Sequence, residues 1–411
     1  MCGIIAAASE SDVVSTLLNG LYKMEYRGYD SAGLAIQDNN SIEHIRTLGK
    51  VKKLEEKLLE IKPTSRLGIA HTRWATHGKP SEINAHPHKS SERIYIVHNG
   101  IIENHNQLKD FLKKEGYNFS SETDSEIIAH FLDYFLKQGK NIVDAIYKTK
   151  EKLIGAYAIA VIDKEDKKNI YLARKKSPLL IGLGKSENFA ASDLLAIGET
   201  AESYIALEDG DVGVISSKDY KIYDHSKKRT ERKILKIDSN LKSSDKGNYR
   251  HFMEKEIYEQ PQAVLNTLDG RIGGGDVRED IFGKGSSELF KKVRRIQIVA
   301  CGTSLHAARV ASNWLSSISG IPTQIDYASE YRYRNPHVDK DSLFVTISQS
   351  GETADTLAAL KYSEEKGYLS SVTICNVPTS SIARESKYFF YTNAGPEIGV
   401  ASTKALSLIH I

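Results

Sequence analysis

The cysteine at position 2 is the residue of this sequence with the clearest chemical potential. If Met1 is removed, Cys2 carries both a thiol and a free α-amine. An unperturbed α-amine has a pKa of about 7.7–8.0, so part of it is free base near neutral pH. An amine beside a thiol can activate that thiol for attack on acyl carbons. A cysteine at position 2 is also consistent with an ordinary small apolar residue at the start of a strand. The other motifs of the chain have to distinguish these two interpretations.

Asn99 and Gly100 could supply a second part of such a site. They follow a β-rich segment at 93–98. An Asn amide and a backbone N–H at a strand end can form an oxyanion hole, which stabilises the charge on a carbonyl oxygen under attack. Asn-Gly is also a common hairpin turn. A two-residue hairpin is the less favoured interpretation, because residues 101–104 open a new element before the next helix.

Two loops that follow predicted elements carry side chains suited to binding. Arg73 and Trp74 come after a predicted strand at 67–71. A guanidinium can hold a carboxylate bidentately, and an indole can cover a pocket. The loop at 26–33 contains Arg27, an aspartate and two glycines. It is either part of a site or an ordinary turn with a solvated ion pair.

Residues 123–126 match the capping box S/T-x-x-E ahead of a predicted helix at 127–136. This places Asp124 in the first helical turn, where it either favours the helix dipole or holds a substrate ammonium group. His86 and His88 form a His-x-His pair that could suggest a metal. We expect no metal there, because a proline lies between them and no cysteine or carboxylate stands at ligand spacing.

The second half of the chain has a β-α-β rhythm. Strands predicted at 296–300 and 342–347 lead into the polar turns 301–304 and 348–353, each followed by a helix. A doubly wound parallel sheet binds ligands beyond the carboxyl ends of its strands. Hydroxyls and helix N–H groups there suit a phosphate monoester without a metal, although each turn alone is also a common helix cap. Neither turn matches a P-loop or a dinucleotide-binding motif.

Composition limits the class of protein. The chain has 411 residues, 40% of them hydrophobic, which suggests two or three folded domains. The net charge of +3 gives no reason to expect nucleic acid or a membrane surface as a partner. Three separated cysteines are too few for a disulfide framework. We therefore expect a cytoplasmic protein in a reducing compartment.

Taken together, these stretches resemble the glutamine:fructose-6-phosphate amidotransferase family. The motifs occur in the family's order along nearly the whole chain. They include residues 2–4, 27–33, 68–78, 84–88, 97–104, 121–124, 245–261, 348–356 and 399–404. The resemblance implies an α+β N-terminal-nucleophile glutaminase domain with αββα layers, followed by an α/β doubly wound sugar isomerase (SIS) domain. It places the glutaminase domain at 2–218, a linker at 219–245 and a first SIS domain at 246–411.

The resemblance also implies roles for individual residues. Cys2 would be the nucleophile and its amine the base, with Asn99 and Gly100 as the oxyanion hole. Arg73 would hold the glutamine α-carboxylate and Asp124 its α-ammonium group. The other residues assigned to the glutamine site are Arg27, Thr76, His77, His86 and Trp74, the last as a gate for ammonia. The residues that match the sugar-phosphate site are Thr303, Ser304, Ser348, Gln349, Ser350, Thr353, Val400 and Ser402.

The implied substrates are L-glutamine and fructose 6-phosphate, with no metal or cofactor and with a homodimer as the full-length form. The family pattern continues beyond position 411 into a second SIS domain that carries the isomerising residues. We therefore expect this chain to perform glutaminase chemistry and not sugar synthesis. Ala6 stands where the family usually has glycine. Residues 406–411 depart from the pattern, and we expect them to derive from a transposon end used in sequencing libraries.

Two other functions remain to be weighed. One is a different enzyme with the same N-terminal domain, such as a phosphoribosyl amidotransferase or asparagine synthetase. The SIS-like turns argue against it, because those families need a pyrophosphate or ATP loop in the second half. The other is a catalytically silent protein that binds a sugar phosphate, which a retained Met1 would favour.

Overall fold

Two units make up the chain, Met1–Lys242 and Ser243–Ile411. This computed structural model describes residues 2–38, 41–237, 246–273, 276–278, 281–378, 380–399 and 401–406. Each unit has its own sheets and apolar cores. No helix in the described part of the chain is long and apolar enough to cross a membrane.

The described residues of the first unit form two antiparallel sheets and five α-helices. Its elements are β1 (Gly3–Ser9), α1 (Val14–Met24), β2 (Ser31–Gln37), β3 (Ile42–Leu48), α2 (Val51–Ile61), β4 (Leu67–Arg73), β5 (His88–Ser90), β6 (Ile94–Ile102), α3 (His105–Lys114), α4 (Glu126–Lys137), α5 (Ile142–Lys152), β7 (Gly155–Asp163), β8 (Ile170–Lys175), β9 (Leu180–Leu183), β10 (Glu187–Ala191), β11 (Ser203–Ala206), β12 (Val212–Ile215), β13 (Tyr220–Tyr223), β14 (Arg229–Thr230) and β15 (Ile234–Lys236). The eight-stranded sheet has the order β15-β11-β9-β10-β1-β4-β2-β3, and the seven-stranded sheet has the order β14-β13-β12-β8-β7-β6-β5.

Alternation along the strands sorts the apolar side chains of this unit into layers. In β1, Ile4 faces a core between the two sheets, whereas Ile5 faces α1 and α2. Helices α3, α4 and α5 cover the outer face of the seven-stranded sheet, with Phe131 of α4 buried there. The result is the predicted αββα arrangement. Central strands β1 and β4, buried on both faces, bring the beginning of the chain into the core.

The second unit contains a five-stranded parallel sheet. Its elements are α6 (Phe252–Leu268), β16 (Ile272–Gly273), β17 (Asp276–Val277), α7 (Ser286–Phe290), β18 (Arg295–Ala300), α8 (Gly302–Ser319), β19 (Thr323–Tyr327), α9 (Ala328–Tyr331), β20 (Ser342–Ser348), α10 (Ala354–Lys366), β21 (Ser370–Cys375), α11 (Ser381–Glu385) and β22 (Tyr388–Tyr391). The strand order is β19-β18-β20-β21-β22, and every pair is parallel. Separate apolar clusters cover the two faces of the sheet, as in a doubly wound fold.

The segment predicted as a linker differs from that expectation. Residues 220–236 form β13, β14 and β15, which pair with the sheets of the first unit. Ile222 is 1% exposed and belongs to the core between the sheets. The polar composition of this stretch reflects short strands at sheet edges, which keep one side toward water. Residues 238–245 lie outside the described residues.

Helix α6 contains a proline, Pro261, and continues past it to Leu268. A proline inside a helix loses one backbone hydrogen bond. Buried contacts beyond it offset that loss, because Ala263 and Thr267 are buried and the Thr267 hydroxyl donates to the carbonyl oxygen of Thr392.

Candidate active site

The Cys2 sulfur, just before β1, contacts the backbone of Trp74, which directly follows β4. Residue 3 of β1 pairs with Thr72 of β4, which brings the end of β4 beside the thiol. The backbone N–H of Trp74 donates to Cys2 Sγ at 3.3 Å, and Sγ lies 3.5 Å from the Trp74 carbonyl oxygen. Burial raises the pKa of the Cys2 thiol, against the opposing effect of the Trp74 N–H. A thiol in this environment needs a base to become a thiolate.

Asn99 and Gly100 lie inside β6 and not in a turn. Both residues pair with β7 across the ladder, so the hairpin interpretation is wrong. The Asn99 side-chain Nδ2 donates to the Cys2 carbonyl oxygen at 3.0 Å. Gly100 has a φ of +131°, and an added Cβ would lie 2.0 Å from the Ala156 carbonyl oxygen. Tertiary folding therefore places Asn99 in contact with Cys2, and Gly100 follows Asn99 in β6.

Arg73, the last residue of β4, organises the loop that follows it. Its guanidinium donates to the carbonyl oxygens of His77, Gly78 and Lys79. These contacts use both N–H groups of Nη2 and one N–H group of Nη1. Burial lowers the pKa of Arg73, while the nearby groups of Cys2 and Asp124 act in the opposite direction. The guanidinium is thus a buried cation close to the predicted site.

Asp124 precedes α4 and does not lie in its first turn. Its Oδ2 accepts the backbone N–H of Ile102 at 2.7 Å, so this contact ties it to the end of β6. The predicted capping box is wrong. Helix α4 begins at Glu126 with Ser125 as its N-cap residue and no side-chain cap. The Thr123 hydroxyl instead contacts His88, and the Glu126 carboxylate accepts from Ser120 and Ser121.

The loop after Arg73 carries Trp74, Thr76 and His77. Trp74 is 40% exposed, and its ring meets Tyr29 edge to face at 5.4 Å. Thr76 is exposed, and His77 packs edge to face on His105 at 5.1 Å. Trp74 therefore has a backbone that contacts the thiol and an indole at the surface. The role of Trp74 as an ammonia gate stays a prediction.

His86 lies in a buried group of histidines beneath the site. Its ring centroid is 4.1 Å from that of His71, 4.5 Å from that of His88 and 6.5 Å from that of His98. Burial lowers the pKa of His86 well below its ordinary value. A neutral ring packed among other rings fits a supporting position better than direct contact with glutamine. Among the described residues, no group of three or more His, Cys, Asp or Glu side chains could hold a metal ion.

Arg27 differs from its predicted role in glutamine binding. Its guanidinium pairs with the Asp193 carboxylate, with Nε 2.8 Å from Oδ2, and the Tyr26 hydroxyl donates to the same oxygen at 2.7 Å. Arg27 is 9% exposed. No sequence pattern links Asp193 to this loop, so the pairing could not be predicted. The ion pair holds the loop in place, and the role of Arg27 in glutamine binding stays a prediction.

In the second unit, the predicted sugar-phosphate residues cluster at the ends of β18 and β20. Ala300 and Ile347 are partners in this parallel pair, so the turns that follow are neighbours. The Ser348 hydroxyl accepts the Gly351 N–H at 3.0 Å and lies 3.2 Å from the Thr353 hydroxyl. Gln349 and Ser350 belong to the same loop. Thr303 and Ser304 lie in the first turn of α8, beside that loop.

Ser402 has different neighbours. Its hydroxyl donates to Glu397 at 2.9 Å, and the Glu397 carboxylate also accepts the N–H groups of Thr403 and Lys404. This segment packs against α6, where Lys404 contacts Glu259 at 2.6 Å. These contacts involve Glu397 and α6 and not the Ser348 loop, so the predicted role of Ser402 stays a prediction. Val400 lies outside the described residues.

Comparison with known proteins decides the family. The glutamine amidotransferase domain family matches residues 71–199, and the SIS domain family matches residues 289–411. The glutamine–fructose-6-phosphate aminotransferase (isomerizing) of Pseudomonas aeruginosa is 52% identical over 408 residues, covering 99% of this chain and 67% of that protein. This chain belongs to the glutamine–fructose-6-phosphate aminotransferase family.

Other comparisons agree with this assignment. The aminotransferase of the same name from Escherichia coli K12 is 50% identical over the same coverage, so the chain spans 67% of the length of these relatives. A solved structure, the glutamine phosphoribosylpyrophosphate amidotransferase of B. subtilis, has a TM-score of 0.50 and covers 99% of this chain and 92% of that chain. At 16% identity it shows a shared fold alone. The predicted family and fold class are confirmed.

Two residues of the first site received no individual role from the sequence patterns. Asp30 accepts the backbone N–H of Ala75 at 2.6 Å and anchors the loop after Trp74. His71 Nε2 lies 3.0 Å from Asn99 Oδ1. Asp30 stands in a loop that the sequence did mark as a possible site. His71 carried no such mark, because a histidine at the end of an apolar strand is usually a core residue.

Proposed function

We propose that the first unit hydrolyses the side-chain amide of glutamine and that the chain acts in glutamine-dependent synthesis of glucosamine 6-phosphate from fructose 6-phosphate. One observation carries the proposal. Asn99 of β6 donates from its Nδ2 to the carbonyl oxygen of Cys2 at 3.0 Å, just before the start of β1. A nucleophile beside a preorganised donor is what amide hydrolysis requires.

The chemistry follows from the positions of these groups. After removal of Met1, the α-amine of Cys2 takes the thiol proton, and the thiolate attacks the amide carbon of glutamine. The developing oxyanion binds the second N–H of Asn99 Nδ2 and the backbone N–H of Gly100. The amine then protonates the leaving nitrogen, which departs as ammonia. Water cleaves the resulting thioester and releases glutamate.

Arg73 and Asp124 select the substrate in this proposal. The positive charge of Arg73 and an N–H group that does not contact the loop carbonyl oxygens bind the α-carboxylate. Asp124 uses one oxygen for the Ile102 N–H, and its second oxygen receives the α-ammonium group. The two charges are held in place by backbone contacts before glutamine arrives, which lowers the cost of ordering them on binding.

For the second unit, we infer a sugar-phosphate site at the carboxyl ends of β18 and β20. The hydroxyls of Ser348 and Thr353 face each other there, and the α8 N-terminus adds N–H groups that suit a phosphate. The homodimer stays a prediction.

Two measurements test the proposal. Purified chain is assayed for glutamate release from glutamine, with Cys2→Ala as the control for background hydrolysis. Intact mass then reports whether Met1 is absent and whether a diazoketone analogue of glutamine adds once, at Cys2. Loss of Met1, single labelling and activity that Cys2→Ala abolishes are expected. A retained Met1 with no labelling would favour the silent sugar-phosphate binder.

A further inference from the structure

His71 contacts the side chain that is proposed to stabilise the oxyanion. It lies in β4 and is 1% exposed. Its Nε2 lies 3.0 Å from Asn99 Oδ1 and 3.0 Å from the His98 carbonyl oxygen. Asn99 Nδ2, on the other end of the same amide, donates to the Cys2 carbonyl oxygen. One amide group is therefore held at both ends.

The hydrogen-bond partners determine where the hydrogens lie in the contacts from Cys2 through Asn99 to His71. The Cys2 carbonyl oxygen can only accept, so the Asn99 atom that faces it must be the NH₂ group. The other Asn99 atom is then the oxygen, which also can only accept. Because His98 offers a carbonyl oxygen as well, His71 Nε2 must carry a proton and donate to both.

His71 holds this proton over the working range of pH. Burial lowers the pKa of His71 to about 3, so the ring is neutral near pH 7 with its proton on Nε2. Its Nδ1 has no hydrogen-bond partner among the described residues, and the ring packs against His86. A ring so enclosed is suited to a fixed hydrogen bond rather than to moving a proton.

We propose that His71 is a positioning residue that orients the Asn99 amide so that Nδ2, and not Oδ1, faces the oxyanion of the reaction. This rests on the proposed glutaminase function. Without the His71 donor, the buried Asn99 oxygen loses a partner, which favours rotation of the amide. A rotated amide would direct an oxygen toward the oxyanion and repel it.

The test uses the whole chain with two substitutions at one position. Leucine in His71→Leu has no donor, whereas the amide of His71→Gln can place an N–H near the position of Nε2. His130→Leu is the matched control, because His130 is also a buried histidine but faces Ser90 and Glu126. Glutamine hydrolysis gives kcat and KM. Binding of an aldehyde analogue of glutamine, which forms a tetrahedral adduct with Cys2, is compared with binding of glutamate.

We expect His71→Leu to lower kcat by about 10- to 100-fold, less than the roughly hundred- to thousand-fold that loss of an oxyanion donor itself costs. KM and glutamate affinity should stay within about two-fold, while affinity for the aldehyde falls in step with kcat. His71→Gln should recover most of the activity, and His130→Leu should keep it. The double variant with Asn99→Ala should be no slower than Asn99→Ala alone, because His71 acts through Asn99.

Several outcomes would overturn the proposal. They are wild-type kcat in His71→Leu, a change confined to KM, an equal loss in His130→Leu, or additive losses in the double variant. If the unsubstituted chain hydrolyses no glutamine, the proposed function fails, and crystal structures then decide this inference separately. An Asn99 amide that rotates in His71→Leu and keeps its orientation in His71→Gln supports it. An unchanged amide in His71→Leu refutes it.

Discussion

Replacement of Arg27 by methionine distinguishes a structural role of this residue from the substrate-binding role that the family resemblance implied. The Arg27 and Asp193 side chains are 9% and 12% exposed. Arg27→Met removes the cation and leaves the Asp193 carboxylate with the Tyr26 hydroxyl at 2.7 Å and the Leu195 N–H at 3.0 Å. Two neutral donors do not replace a full charge in a buried position.

The size of the effect follows from this burial. Breaking a buried ion pair by removing one partner costs about 3–5 kcal/mol, because the other charge stays buried. For a unit of this size, 1 kcal/mol corresponds to roughly 2–4 °C in Tm, so the transition of the first unit should fall by about 6–20 °C. An exposed pair is the matched control. Lys148 and Glu151 are 2.8 Å apart but 43% and 55% exposed, and Lys148→Met should cost less than about 1 kcal/mol.

The pH dependence of the stability difference gives a second test of the structural role of Arg27. Burial favours the neutral form of Asp193, but the Arg27 charge and the donated hydrogen bonds lower its pKa in the folded protein. Its contribution to stability is therefore present above the unfolded pKa of about 3.9 and is lost as the pH falls through the lower folded value. In Arg27→Met, burial acts without that charge and raises the folded pKa. The stability difference from wild type should then shrink as the pH falls from about 8 to about 5.

Scanning calorimetry of the full chain measures the loss of stability, and glutamine kinetics test the alternative that Arg27 binds the substrate. We expect a lowered transition with KM for glutamine within about two-fold of wild type in the protein that remains folded. An Arg27→Met/Asp193→Leu double variant should regain much of the stability, because it buries no charge. The reasoning would be refuted by an unchanged transition together with a KM raised by about ten-fold or more, which would assign Arg27 to the substrate.

Three further predictions concern single residues of the two sites. Asn99→Ala should lower kcat for glutamine hydrolysis by about 100- to 1000-fold with little change in KM, as steady-state ammonia release will show. Gly28→Ala places a Cβ 2.6 Å from the Arg73 carbonyl carbon; it should shift the peptide that contacts the nucleophile and lower kcat, whereas substitution of the exposed Gly139 should not. Gly351→Ala combines a φ of +64° with a Cβ 2.0 Å from the Ser380 Oγ, and calorimetric titration should show weaker fructose 6-phosphate binding.

The second unit could be predicted closely because its elements are set by local patterns. A helix is predicted directly after the polar turn 348–353, and α10 occurs there at Ala354–Lys366. The strand predicted at 342–347 ends one residue later, at Ser348. Parallel strands buried on both faces form continuous apolar runs, and polar turns separate them from helices. The carboxyl ends of such strands lie along one edge, so the two polar turns were expected to meet.

The first unit contained contacts that no local pattern signals. Asp193 is 166 residues from Arg27, and Asn99 is 97 residues from Cys2. The capping box at 123–126 was wrong partly for the same reason, because the distant His88 contacts the Thr123 hydroxyl, while the Glu126 carboxylate accepts from its neighbours Ser120 and Ser121. Hydrogen-bond partners are chosen by what lies nearby in space, and a sequence pattern describes only what lies nearby along the chain.

The sequence by itself determined the kinds of side chain available: a cysteine beside the chain start, an arginine and an aspartate for an amino acid, and hydroxyls after two parallel strands. These follow from residue type and short-range spacing. Only the tertiary structure determined which of these groups come into contact and which of them position one another. Arg27 pairs with Asp193, and Asn99 forms hydrogen bonds with Cys2 and His71. Buried polar atoms need hydrogen-bond partners, and the pairing of distant strands sets which partners are within reach.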